Sequence, residues 1–104
     1  MSGPTQPAVH DEEWSDERVR DYLFSTPYQA GVDPDHHVLL RAYRAMRAED
    51  FKRFLVFFAE AGRNINARDA QGNTLLDDVS RHAKGQAYAE ALRAQGAKAA
   101  RELG

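Results

Sequence analysis

Val19, Tyr22 and Leu23 recur at helical spacing, and similar stripes follow along the chain with no convincing strand alternation. Ser15 stands just before the first stripe as an N-cap, a position where a hydroxyl accepts from an otherwise unpaired backbone N–H. Asp16 and Glu17 occupy the first turn, where the helix dipole favours anions. Trp14 before the cap and Val19 inside it have the spacing of a hydrophobic staple. This helix is expected to end near Ser25, before Pro27.

Residues 26–33 read as a loop with Pro27 and Gly31. Asp33-Pro34-Asp35 then supplies an N-cap, a first-position proline and a first-turn acid, predicting a second helix over roughly 34–48. Leu39, Ala42, Tyr43 and Met46 fall on one face and Arg41, Arg44 and Arg47 on another. A third helix is expected over about 50–61, with Phe51, Phe54, Leu55 and Phe58 on one face. Phe57, Ala59 and Ala61 widen that face to about 200°, against roughly 100° for an ordinary surface helix, which implies neighbours on two sides. Val56 falls among Lys52, Arg53 and Glu60 on the wet side. Gly62 is placed to end the helix in a left-handed conformation.

Residues 63–73 are polar, and Asp69-Ala70-Gln71-Gly72 has the composition of a tight turn. Thr74 caps a short fourth helix expected to reach about Ala83, with Leu75, Leu76, Val79 and Ala83 facing inward and Asp77, Asp78 and Arg81 outward. Gly85 breaks it. A last helix, roughly 86–95, turns Tyr88, Ala91 and Leu92 inward and Gln86, Glu90 and Arg93 outward, and Gly96 ends it. Met1 to His10 reads as a disordered tail, residues 11–98 as one helical domain, and residues 99–104 as a C-terminal tail.

Phe58-Ala59-Glu60-Ala61-Gly62 and Leu92-Arg93-Ala94-Gln95-Gly96 share a pattern, and their glycines stand 34 residues apart. The segment from Asn64 to Lys98 resembles an ankyrin repeat. Asn64-Ile65-Asn66-Ala67-Arg68-Asp69 is similar to the family's finger strand, Gly72 to its turn glycine, and Thr74-Leu75-Leu76-Asp77 to its Thr-Pro-Leu-His start. Leu92 and Gly96-Ala97 match the end. Leu75 stands in place of the usual proline and Asp77 in place of the usual histidine. The unit over residues 39–63 fits a degenerate preceding repeat. The resemblance implies an all-α fold: a short ankyrin-like stack of two helix pairs with one finger loop, capped by the N-terminal helix. Repeats bury their apolar faces only against neighbours, so two are marginal and the Trp14–Phe24 segment is the expected third layer. A partner, or a second copy in a homodimer through the N-terminal end, is the alternative cover.

Composition narrows the function. The 104 residues are 42% hydrophobic, enough for one modest core. There is no cysteine, which excludes disulfides, thiolate metal sites and cysteine nucleophiles. No apolar run approaches the roughly 18 residues of a membrane span, and the N-terminus does not read as a secretory signal. A cytoplasmic protein is expected, and the abundant Ala and Arg suit a GC-rich bacterial gene. The net charge of −2 gives no reason to expect nucleic acid or a membrane as partner. Its distribution is uneven, with residues 1–37 carrying −6 and residues 38–63 carrying +3. The acidic front segment is therefore expected to lie against the basic middle of its own fold, or else to meet a basic partner.

No catalytic, cofactor or metal constellation is expected. His36 and His37 lie beside Asp33 and Asp35, but adjacent residues on a helix point about 100° apart and do not readily share one ion. His82 reads as a packing or pairing residue. Asp77 and Asp78 beside Arg81 read as a solvated face rather than acid–base machinery. The resemblance implies a protein partner, held on the finger tip and inner helix: Arg68, Ala70, Gln71, Asn73, Asp77, Asp78 and Arg81, with Arg41 and Arg44 as the corresponding row of the first repeat. An adaptor or regulator is the leading expectation. A toxin-neutralising immunity protein is a narrower alternative, and a small metal-dependent or hydrolytic enzyme a third, which a stoichiometric bound metal would revive.

Overall fold

The computed structural model describes residues 14–24 and 31–103. The expected disordered tail, and the loop with the end of the first helix, fall largely outside these residues. The fold is all-α. Among the described residues five α-helices follow one another: α1 (Asp16–Asp21), α2 (Pro34–Ala45), α3 (Ala48–Glu60), α4 (Leu75–Ser80) and α5 (Gln86–Ala94). Short 3-10 turns at Tyr22–Phe24 and Ala100–Glu102 continue α1 and follow α5. The one β-like feature among the described residues is an antiparallel bridge between Arg68 and Thr74 across the turn.

Local sequence explains the helix starts. The Ser15 hydroxyl accepts from the Arg18 amide at 3.1 Å, and Asp33 Oδ1 accepts from the Asp35 amide at 2.8 Å. Thr74 and Asp77 form a reciprocal capping box at the head of α4. Met46 is extended, as is Arg47, the N-cap of α3, so α2 stops at Ala45, earlier than the sequence pattern suggests. The Tyr88 hydroxyl donates to the Met46 carbonyl at 2.6 Å and pins this corner to α5.

Packing follows the apolar stripes. Phe51, Phe54, Leu55 and Phe58 are fully buried together with Val19, Val38, Leu39, Leu75, Leu76, Val79 and Leu92. α3 packs on α1 at one flank and α5 at the other, while α2 meets α4. The expectation of a two-sided α3 is thus met, but its breadth is corrected. Phe57 is half-buried beneath the Arg20 guanidinium, 4.5 Å from the ring centroid, whereas Ala59 and Ala61 are exposed, their methyl groups offering little surface to hold a neighbour. Ala83 is also exposed, because α4 closes at Ser80. There the Arg81 and His82 amides turn back to the Asp78 and Val79 carbonyls, and the Ser80 hydroxyl donates to the Leu76 carbonyl. Gly85 is required just beyond, since a Cβ on it would lie 2.3 Å from the Val79 carbonyl oxygen.

The two echoing segments end alike. At Gly62 and Gly96, φ is 75° and 91°. In each case the next amide, Arg63 or Ala97, donates back to the apolar residue five positions earlier, Phe58 or Leu92. The C-terminal segment is held rather than loose. Ala97 and Ala99 are buried, the Thr74 hydroxyl donates to the Lys98 carbonyl at 2.7 Å, and the Lys98 amide donates to Asn66 Oδ1 at 2.7 Å.

Ion pairs join the acidic front to the basic middle. Arg53 bonds Asp16, the Trp14 carbonyl and the fully buried Asp50. Arg63 bonds Asp35 and the Leu23 carbonyl, both at 2.8 Å. No helix among the described residues is long and apolar enough to cross a membrane.

Candidate functional site

A cleft of about 380 Å³ opens between the first turns of α2, the turn after Arg68, and α4. From α2 come His36, Leu40 and Arg44, spaced four apart and therefore on one helix face. Gly31, Val32 and Asp33 close its near end. The turn contributes Asp69, Ala70 and Gln71, and α4 contributes Asp78.

The turn is rigidly built. Asp69 Oδ1 accepts from the Gln71 and Asn73 amides, both at 2.9 Å. The Gly72 amide donates to the Asp69 carbonyl at 2.9 Å, and Gly72 takes a φ of 84° that other residues adopt only with strain. These bonds fix the direction of the Asp69 carboxylate. Asp78, on the first turn of α4, is half-buried and makes one loose ion pair, 3.8 Å from Arg81 Nη1.

His36 is 4% exposed, and its Nε2 is buried without a hydrogen-bond partner among the described residues. Its ligating atom lies within 4.8 Å of a carboxylate oxygen of Asp69 and of Asp78, which are likewise within 4.8 Å of each other. His37 Nε2 is also buried without a partner. Burial, with Arg41 and His36 nearby, holds the His37 pKa below the usual imidazole value.

The structure brings together four of the residues expected to bind a partner: Arg44, Ala70, Gln71 and Asp78. Arg68 and Arg81 are exposed outside the cleft lining, and Asn73 is half-buried in the turn. Arg41 is exposed but sits over the Tyr22 ring, 5.8 Å from its centroid, so part of its surface faces the N-terminal segment. Asp77 requires correction, because its carboxylate points into the fold. Oδ2 accepts from the Thr74 amide at 2.9 Å and the Ala100 amide at 3.0 Å. Burial raises the Asp77 pKa, but those bonds outweigh it and hold the carboxyl below its usual range.

His36 and Asp69 are the site residues that pattern reading did not select. The apolar stripe of α2 runs through Leu39 and Ala42, which hides the adjacent His36–Leu40–Arg44 row. One signal was present: His36 and Asp69 stand 33 residues apart, close to the 34-residue spacing of Gly62 and Gly96. His82 does pair as expected, hydrogen-bonded through Nδ1 to the Tyr43 hydroxyl at 2.6 Å.

A second surface is formed by the residues flanking α1. Trp14 packs against Tyr22 with centroids 5.6 Å apart, and the Arg18 guanidinium lies over the indole. Phe24 is 73% exposed. Comparison with family models, with curated proteins and with solved structures finds no match to this chain.

Proposed function

We propose that this chain is a small, non-catalytic protein-binding module, an adaptor or regulator, that meets its partner with the turn after Arg68 and the neighbouring faces of α2 and α4. The observation that carries the reading is the convergence of Arg44, Ala70, Gln71 and Asp78 around one cleft from three separate elements. Mixed charge and exposed small side chains on a stiff turn suit a specific, moderately salt-sensitive contact. The matching helix ends at Gly62 and Gly96, and the pairing of α2 with α4 and of α3 with α5, support an ankyrin-like arrangement. A cytoplasmic location is part of this reading, and the lack of cysteine suits it.

The exposed Phe24 favours a second reading, in which the partner or a second copy docks at the N-terminal end. The two separate cleanly in an affinity capture from the native cell, compared quantitatively between wild type, an Arg44→Glu/Gln71→Arg variant and Phe24→Ala. Arg44 is exposed, as is Gln71, so the cleft variant should keep the wild-type melting temperature. The cleft reading expects a stoichiometric partner to be lost from the cleft variant and kept by Phe24→Ala. The reverse pattern overturns it and makes the N-terminal end the interface.

A further inference from the structure

We propose that His36, Asp69 and Asp78 form a binding site for one divalent transition-metal ion of the Zn²⁺ class. The inference goes beyond the protein-binding reading and does not depend on it. Three donors from three elements, the first turn of α2, the tight turn and the first turn of α4, have ligating atoms mutually within 4.8 Å. Zinc–ligand bonds run about 2.0–2.2 Å for imidazole and carboxylate, which puts tetrahedral donors roughly 3.3 Å apart. Small rotations of the His36 and Asp78 side chains close the remaining difference.

The independent pointer is His36. A buried polar atom without a partner is uncommon in a folded protein and calls for an explanation. Here the unpartnered atom is an imidazole Nε2 on a 4%-exposed side chain, in the same cleft as two carboxylates. A neutral imidazole accepts a metal through a ring nitrogen, and one nitrogen of this ring lies within 4.8 Å of both carboxylates.

The carboxylates are suitably prepared. Among the described residues, the hydrogen bonds of the Asp69 side chain all go to Oδ1, so its orientation is fixed while Oδ2 is left for coordination. Asp78 has a half-buried carboxylate whose ion pair with Arg81 is long and whose partner is 65% exposed. A divalent ion displaces that contact readily. Two carboxylates balance the +2 charge of the ion, and Asp33 in the same lining offsets Arg44. A nitrogen and two oxygens select the zinc class over Ca²⁺ or Mg²⁺, which prefer all-oxygen shells. Three protein ligands leave a fourth position for water.

The test is calorimetric titration of the full chain with Zn²⁺, followed by histidine-selective NMR. The chain has four histidines, His10, His36, His37 and His82. The proposal expects one ion per chain, with the His36 ring alone responding at stoichiometric metal. Asp69→Asn and Asp78→Asn preserve side-chain shape and should each weaken Zn²⁺ at least about tenfold, with metal-free melting temperatures close to wild type. Absence of stoichiometric Zn²⁺ binding overturns the site. So does unchanged affinity in the double variant, or a response at His37 or His82 in place of His36. Partner capture is not a readout here, so the metal site and the protein-binding surface fail separately.

Discussion

The Ala100 amide donates to Asp77 Oδ2 at 3.0 Å, tying the turn after α5 to the head of α4. The same oxygen accepts the Thr74 amide, and the Thr74 hydroxyl reaches the Lys98 carbonyl. A carboxylate that the sequence offered to a partner is thereby spent on holding the C-terminal segment in place.

Asp77→Ala removes the acceptor of two backbone amides at once. Leaving such donors unsatisfied costs roughly 1–3 kcal/mol. Urea unfolding should show the loss as a lower midpoint with an unchanged slope, and hydrogen exchange should quicken at Ala100. A midpoint equal to wild type would show that the cap is dispensable.

Acid sensitivity follows from the same group and from Asp50. Burial raises the Asp50 pKa, but hydrogen bonds from Arg53 and Arg47 outweigh it and hold the carboxyl below its usual value of 3.8. Both carboxyls therefore bind protons more weakly folded than unfolded. Their stabilisation is fully present above about pH 4, the usual carboxyl range, and is lost as pH falls through the lower folded values. Stability measured from pH 6 to pH 2 should fall below about pH 4, and less steeply in Asp77→Asn. An equally steep fall in that variant would remove Asp77 as a contributor.

Asp50 is fully buried and bonded to Arg47 and Arg53. Removing one partner of a buried ion pair typically costs about 3–5 kcal/mol. Arg53→Met removes one partner of the buried Asp50 charge and frees Asp16 and the Trp14 carbonyl, so it should be clearly destabilising and loosen α1. Far-ultraviolet circular dichroism and proteolysis near Trp14 check this.

Phe54→Ala or Phe58→Ala should cost roughly 3–5 kcal/mol, enough to abolish folding in a domain this small. Both rings are fully buried, 5.8 Å apart between centroids, on the helix that α1 and α5 flank. If both variants melt within a few degrees of wild type, this assignment of the core fails.

Gly85→Ala tests a closer contact. The new methyl would meet the Val79 carbonyl, a backbone atom that cannot swing aside. Overpacking of this kind costs about 1–3 kcal/mol, so thermal unfolding should come several degrees earlier. A neutral result would mean that the α4–α5 connection shifts freely.

Short-range chemistry made much of this fold legible. Ser15, Asp33 and Thr74 cap helices because a side-chain oxygen finds an amide two or three residues away, and nothing distant is needed. The Phe51–Phe54–Leu55–Phe58 stripe is buried because 3.6-residue periodicity puts those side chains on one face. Gly62, Gly72 and Gly96 take positive φ where the pattern called for a stop or a turn. What depended on distant partners was not legible. Asp77 and Asp78 are neighbours on a helix and alike in sequence, yet one caps the fold through Ala100 and the other lines the cleft. Ala59, Ala61 and Ala83 looked apolar enough to bury, but a methyl group follows whatever larger neighbours leave covered. His36 sat in a row that local pattern could not rank, and only the packing of α2 against the 69–72 turn and α4 strips it of solvent beside two carboxylates. Helix ends and apolar faces depend on residues a few positions apart. A site depends on side chains 33 and 42 positions from His36 converging at one point, and that convergence exists only once the chain has packed.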